Sequence, residues 1–158
     1  MLVMGVAGSG KSLIGRKVAE ALGCRFADAD DFHPAANIEK MSHGIPLTDA
    51  DREPWLRAMR DAVLQWSAAG ECVVLACSAL KRRYREQLSG GTDLKVVYLK
   101  GTFDVIHARL RERQDHFMKP EMLASQFADL EEPSECIVAD VSGPPEEMAA
   151  EIARRLST

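Results

Sequence analysis

Gly5-Val6-Ala7-Gly8-Ser9-Gly10-Lys11-Ser12 decides how this chain is read. The octet fits the pattern G-x-x-x-x-G-K-[ST] without a mismatch, in the setting that gives the pattern physical meaning. A short apolar run, Met1–Met4, precedes it, and apolar residues at helical spacing (Ile14, Val18, Ala21, Leu22) follow it. Glycines let successive backbone N–H groups turn inward around phosphate oxygens, and the N-terminus of the next helix adds positive partial charge. Lys11 is expected to reach the β- and γ-phosphates, and the Ser12 hydroxyl to ligate Mg²⁺. All eight residues are therefore candidate nucleotide-binding positions, and the implied ligand is a nucleoside triphosphate.

Outward from this loop, short apolar runs alternate with stretches of helical spacing. The runs are Met1–Met4, Arg25–Asp28, Cys72–Cys77, Lys95–Leu99 and Cys136–Val141. Between them, Trp55, Met59, Ala62, Val63 and Trp66 predict one helix, and Leu80, Tyr84 and Leu88 another. A charged helix is predicted from Val105 to about Arg113. A last one opens at Pro144-Pro145, with Glu146 and Glu147 in its first turn and Arg154 and Arg155 in its last, the charge order that suits a helix dipole. Such alternation predicts an α/β fold with a parallel sheet covered on both faces, in a single domain over 1–158. Two stretches lack apolar periodicity, Asp31–Pro54 and Gln114–Pro120. Irregular insertions beside the C-terminal ends of strands are where open sheets bind ligands. A substrate-binding insertion is therefore expected at about 31–54 and a mobile lid at about 110–125.

Composition narrows the function classes. With 158 residues, 46% hydrophobic and 28% charged, the chain has the make-up of one globular domain. A net charge of −4 argues against a dedicated nucleic-acid binder. No apolar run approaches the roughly 18 residues of a membrane span, and Met1–Met4 is too short for a signal peptide. None of the four cysteines, Cys24, Cys72, Cys77 and Cys136, lies in a Cys-x-x-Cys pair, and the last three lie in or beside apolar runs. The expectation is reduced thiols acting as small hydrophobes, in a cytoplasmic protein. A guanine-reading Asn-Lys-x-Asp segment is absent, which disfavours a GTPase.

Asp28 and Asp30 stand at the end of the second apolar run. Two residues apart on an extended segment, they are expected to point to one side. Phosphoryl transfer to an alcohol needs a group to accept the hydroxyl proton and oxygens to hold the metal. Asp30 is the candidate for the first role and Asp28, with Ser12, for the second.

At this point the sequence resembles the thermoresistant gluconate kinase (gluconokinase) family. The resemblance rests on GVAGSGKS at 5–12, DADDFHP at 28–34, NIEKM at 37–41 and GIPLTDADREPWL at 44–56. It continues through CSALKRRYR at 77–85, YLKG at 98–101 and HFMKPEMLASQF at 116–127. It implies a P-loop kinase fold with a five-stranded parallel sheet and a mobile lid. It also implies ATP as phosphoryl donor to the 6-hydroxyl of D-gluconate, and a cytoplasmic homodimer. Ala7 stands where the family usually has serine, and Glu131–Cys136 is a few residues shorter than the family pattern. Alternatives on the same scaffold are a shikimate-like or nucleoside monophosphate kinase. A non-catalytic nucleotide-binding module is the alternative of another class.

An anionic acceptor needs cationic or donor-rich surroundings. Lys81 and Arg85, four apart, are expected on one helix face, with Ser78 at the end of the third strand and His33, Asn37 and Lys40 closing the other wall. Arg82 and Arg83 are read as a solvated face. By resemblance to the broader kinase fold, Arg113 would swing over the transferring phosphoryl group and Arg109 would lie against the adenine. His116, within the expected lid, is a further candidate substrate contact.

Overall fold

Three fully buried residues, Leu2–Met4, form β1 and hold the centre of the sheet. The computed structural model describes residues 1–112 and 120–158. From β1 the chain runs through α1 (Lys11–Leu22), β2 (Arg25–Asp28), a 3-10 turn (Ala29–Phe32), α2 (Ala35–Ser42), α3 (Asp49–Ala68) and β3 (Val73–Ala76). It continues through α4 (Arg82–Ser89), β4 (Val96–Lys100), α5 (Phe103–Glu112), α6 (Pro120–Asp129), β5 (Ile137–Asp140) and α7 (Pro145–Ser157). The five strands are parallel, in the order β2-β3-β1-β4-β5. All strand C-termini therefore share one edge. β1, flanked by β3 and β4, is where the order reverses, so the loop at 5–12 occupies the crevice where open sheets bind ligands.

Side chains alternate across the sheet and build two apolar layers. Val3, Val74, Val97 and Leu99 meet Ile14 and Val18 of α1, Ile106 of α5, Leu123 of α6 and Ile152 of α7. Leu2, Met4, Leu75 and Tyr98 meet Trp55, Leu56 and Met59 of α3 and Leu88 of α4. Each fully buried Leu, Ile or Met stabilises the fold by about 1.5–3 kcal/mol relative to exposure. The layers, rather than strands of three to five residues, therefore carry the stability. Among the described residues no helix is long and apolar enough to cross a membrane.

The stretch expected to be irregular, 31–54, proves largely helical. α2 escaped notice because only Asn37 of it is buried, while Ile38 and Met41 face solvent, so no apolar stripe marks it. α3 starts ahead of its apolar pattern because Thr48 and Asp51 form a reciprocal capping box. Pro54 lies within the helix without ending it.

The cysteines also correct the expectation. Cys24 and Cys72 form a disulfide, with Cα atoms 4.9 Å apart. Arg25 pairs with Val73, so the residues just before them stand side by side. Cys77 is buried as expected, and burial pushes its thiol up to about 12. Cys136 is half-buried.

Candidate functional site

Gly8 and Gly10 take left-handed conformations, φ 80° and 94°, that side chains resist. A Cβ on Gly8 would also lie 2.7 Å from Leu110 Cγ, so the loop packs directly on α5. Gly10 occupies the N-cap of α1 without a side-chain cap, and the first turn carries no acidic residue. The helix end therefore presents its N–H groups and positive partial charge to the loop. Lys11 Nζ donates to Val6 O at 3.1 Å, and Ala7 N–H donates to Gln126 Oε1 at 2.7 Å. A cavity of about 320 Å³ opens beside the loop, lined by Ser9, Gly10, Leu13, Arg109, Glu112 and Pro145. Arg109 donates from Nη2 to Val141 O, which braces it against the end of β5.

Ser12 Oγ donates to Asp28 Oδ2 at 2.8 Å, tying the phosphate loop's helix to the end of β2. Asp28 Oδ1 accepts from Asp30 N at 3.0 Å and so caps the 3-10 turn. The expected extended spacing from Asp28 to Asp30 therefore does not hold. The strand ends at Asp28 and the turn carries Asp30, yet the two carboxylates still interact. Burial raises the Asp30 pKa above its ordinary value and Asp28 raises it further, against opposing pulls from His33 and Lys11.

Behind Asp30, the His33 ring stacks on Trp55 at 4.3 Å between centroids, and Trp55 Nε1 donates to Ala29 O at 2.7 Å. Burial holds His33 below the usual histidine pKa. Asn37 Nδ2 lies 3.3 Å from His33 Nδ1 and donates to Asp51 O at 2.8 Å. Both can be served by the two amide hydrogens when His33 is neutral with Nδ1 as acceptor. Lys40 Nζ donates to both carboxylate oxygens of Asp51, at 3.0 and 2.8 Å. The Lys40 ammonium and the Thr48 cap hold Asp51 down at about 2.

At the end of β3, Ser78 is half-buried and Ala79 takes a left-handed φ of 42°. Lys81 caps α4 in an extended conformation, so the expected one-face pairing of Lys81 with Arg85 fails at its first member. Arg85 is only 8% exposed. It donates from Nη1 to Ala79 O at 2.8 Å and Leu80 O at 3.1 Å, and from Nη2 to Glu131 O at 2.7 Å. Its guanidinium is spent on three carbonyls, because a buried cation must be satisfied locally. Lys81 Nζ lies 5.8 Å from the Tyr84 ring centroid. Arg113 and His116 lie outside the described residues.

Among the described residues no group of three or more His, Cys, Asp and Glu could enclose a metal. Magnesium needs no such cage, since it keeps waters and takes one or two protein oxygens beside substrate phosphates. The Ser12 hydroxyl and Asp28 carboxylate, both hard oxygen donors, fit that pattern. Sequence reasoning missed Gln126 and Trp55 as parts of the site. Trp55 carried a helical-core signal that concealed its ring contact with His33. Gln126 is separated from its partner Ala7 by 119 residues.

The chain is similar to known kinases in sequence and in fold. The family model described as shikimate kinase matches residues 7–157. A probable gluconokinase from Mus musculus is 50% identical over 152 residues, covering 85% of this chain and 83% of that protein. The thermoresistant gluconokinase of Escherichia coli (strain K12) is 45% identical over 154 residues, covering 94% of this chain and 88% of that one. The crystal structure of a gluconokinase from Sinorhizobium meliloti 1021 superposes with a TM-score of 0.84 at 42% identity, covering 99% of this chain and 94% of that one.

Proposed function

This chain belongs to the gluconokinase family, and on that premise we propose that it transfers the γ-phosphoryl group of ATP to the 6-hydroxyl of D-gluconate. The products are 6-phospho-D-gluconate and ADP. The observation that carries the proposal is the Ser12–Asp28 hydrogen bond, which locks the phosphate loop to the strand end that presents Asp30.

The N–H groups at the N-terminus of α1 bind the phosphates, together with the loop N–H groups not already engaged as those of Ala7 and Ser9 are. Lys11 moves from Val6 O to the β- and γ-phosphates and stabilises the charge that shifts during transfer. Ser12 and Asp28 would hold Mg²⁺, which when bound neutralises phosphate charge. Asp30 accepts the proton of the acceptor hydroxyl, and its raised pKa makes it a better base than an ordinary carboxylate. The adenine occupies the cavity beside Arg109, whose planar guanidinium suits stacking. Gluconate lies over Asp30 between His33 and the Ser78–Lys81 turn, with the Lys81 ammonium as carboxylate partner. Asn37 and Lys40 act one layer back, by orienting His33 and the first turn of α3.

A coupled ADP-release assay with gluconate, shikimate and a nucleoside monophosphate panel tests the assignment. Gluconate is expected to support turnover and the others not. Preference for shikimate or a nucleotide would overturn it. The proposal extends to a cytoplasmic homodimer, to be checked by light scattering and cell fractionation. The Cys24–Cys72 bond pulls against a reducing compartment, so alkylation of thiols in fresh lysate belongs with that experiment.

A further inference from the structure

The peptide group between Val6 and Ala7 is held at both ends. Its carbonyl accepts from Lys11 Nζ at 3.1 Å and from Ser9 N at 3.2 Å. Its N–H donates to Gln126 Oε1 at 2.7 Å. Gln126 comes from α6, which is itself anchored. Leu123, one turn earlier, is fully buried, and just beyond the helix Glu131 N donates to Leu80 O at 2.8 Å while Glu131 O accepts from Arg85. The side-chain carbonyl therefore reaches the loop from a fixed support.

A peptide group is planar and turns as one body. Holding its N–H also holds its C=O, and that C=O is where the Lys11 ammonium rests. We propose that Gln126 is a positioning residue for phosphoryl transfer. By accepting from Ala7 N–H it fixes the tilt of the Val6–Ala7 peptide, and through it the place from which Lys11 meets the phosphates. The proposal rests on the assignment of residues 5–12 as the ATP cradle. Gln126 touches neither reacting atom in this scheme and acts only through the loop.

Kinetics of Gln126→Met and Gln126→Glu, each also in a Lys11→Met background and each with a melting curve, test this. Methionine keeps the length but removes the acceptor, leaving a half-buried donor unpaired. The expected loss in kcat/KM for ATP is about 10- to 100-fold, mostly in kcat, with KM for gluconate unchanged. Glutamate keeps an acceptor at the same reach and is expected to hold kcat within about threefold, its cost falling on KM for ATP through repulsion of phosphate. In the Lys11→Met background, Gln126→Met is expected to cost less than about twofold more, because the group it positions is gone.

A Gln126→Met enzyme within about twofold of wild type in kcat would overturn the proposal. So would equal kcat losses in the methionine and glutamate variants, or a full additional loss in the Lys11→Met background. Near-normal turnover by Lys11→Met alone would instead remove the ATP-cradle assignment, and the proposal with it. The two failures are thus distinguishable.

Discussion

The phosphate loop and the acceptor wall are built on opposite plans. The loop, 5–12, owes its shape to left-handed glycines and its chemistry to backbone N–H groups and one lysine, all within eight residues. The wall, from Ala29 to Trp55 with the turn at 78–81, owes its shape to side chains bound to one another: His33 on Trp55, Asn37 and Lys40 on Asp51. In the loop the charged group, Lys11, touches a carbonyl of the loop itself and is assigned to the phosphates. In the wall a charged group is as often a strut. The same residue type, arginine or lysine, therefore means different things on the two sides of one cleft.

The sharpest way to break this contrast is Asp30→Asn, because Asp30 is the wall residue assigned to chemistry. Turnover is expected to fall by about 10²- to 10⁴-fold with ATP affinity little changed. The same substitution should raise the melting temperature at neutral pH. The folded-state pKa of Asp30 is raised, so the ionised form is disfavoured by folding. Its favourable contribution is complete below the unfolded value of 3.8 and is lost as pH rises through the folded pKa. Asparagine escapes that loss. A variant that is both active and no more stable would remove Asp30 from the mechanism.

Lys11→Met tests the other region. A preorganised charge of this kind is worth roughly 3 kcal/mol, or about a hundredfold in kcat, with no loss of fold expected. Circular dichroism and initial rates on the purified variant decide it.

Arg85→Met comes next and sharpens the distinction between strut and ligand. Three carbonyls lose their donor, so stability measured by urea unfolding is expected to fall by about 3 kcal/mol, while KM for gluconate in the folded enzyme stays within about threefold. The reverse pattern, stable protein with a tenfold higher KM, would return Arg85 to the acceptor wall.

The smallest effect is expected from Lys40→Met. Its partner Asp51 is held at about 2 in the folded protein, so the pair's contribution is present above 3.8 and disappears as pH falls toward 2. Melting curves of wild type and variant should therefore converge over that acid range. At neutral pH KM for gluconate should change less than about fivefold.

What could be read from the residues follows the same division. The loop, its strand and its helix were legible because they are contiguous. Asp28 was legible because it ends the next strand. The parallel sheet followed from the alternation of apolar runs with helical spacing, as the strand pairings show. The carbonyl contacts of Arg85 were not legible, because charge and spacing do not say whether a carbonyl of the same chain waits nearby. Helix α2 was missed because Ile38 and Met41 point outward. The Cys24–Cys72 bond required knowing that β2 lies beside β3, which no local pattern states.

Strand β1 has a consequence for how the molecule is made. It leaves the ribosome well before its register partners, Leu75 and Ala76 on one side and Val96, Val97 and Tyr98 on the other. At the usual pace of synthesis, on the order of 5–20 residues per second, the central strand waits roughly 5–20 s for its second neighbour. Until then Leu2, Val3 and Met4 present an apolar edge that lacks its second neighbouring strand. Helix α1, contiguous with that edge, is the first element able to lie against it. The octet assigned to phosphate is also the hinge about which that early contact must close. A slow codon stretch before residue 95 should therefore prolong exposure and favour aggregation, an effect that pulse-labelled nascent chains would show in their yield of soluble protein.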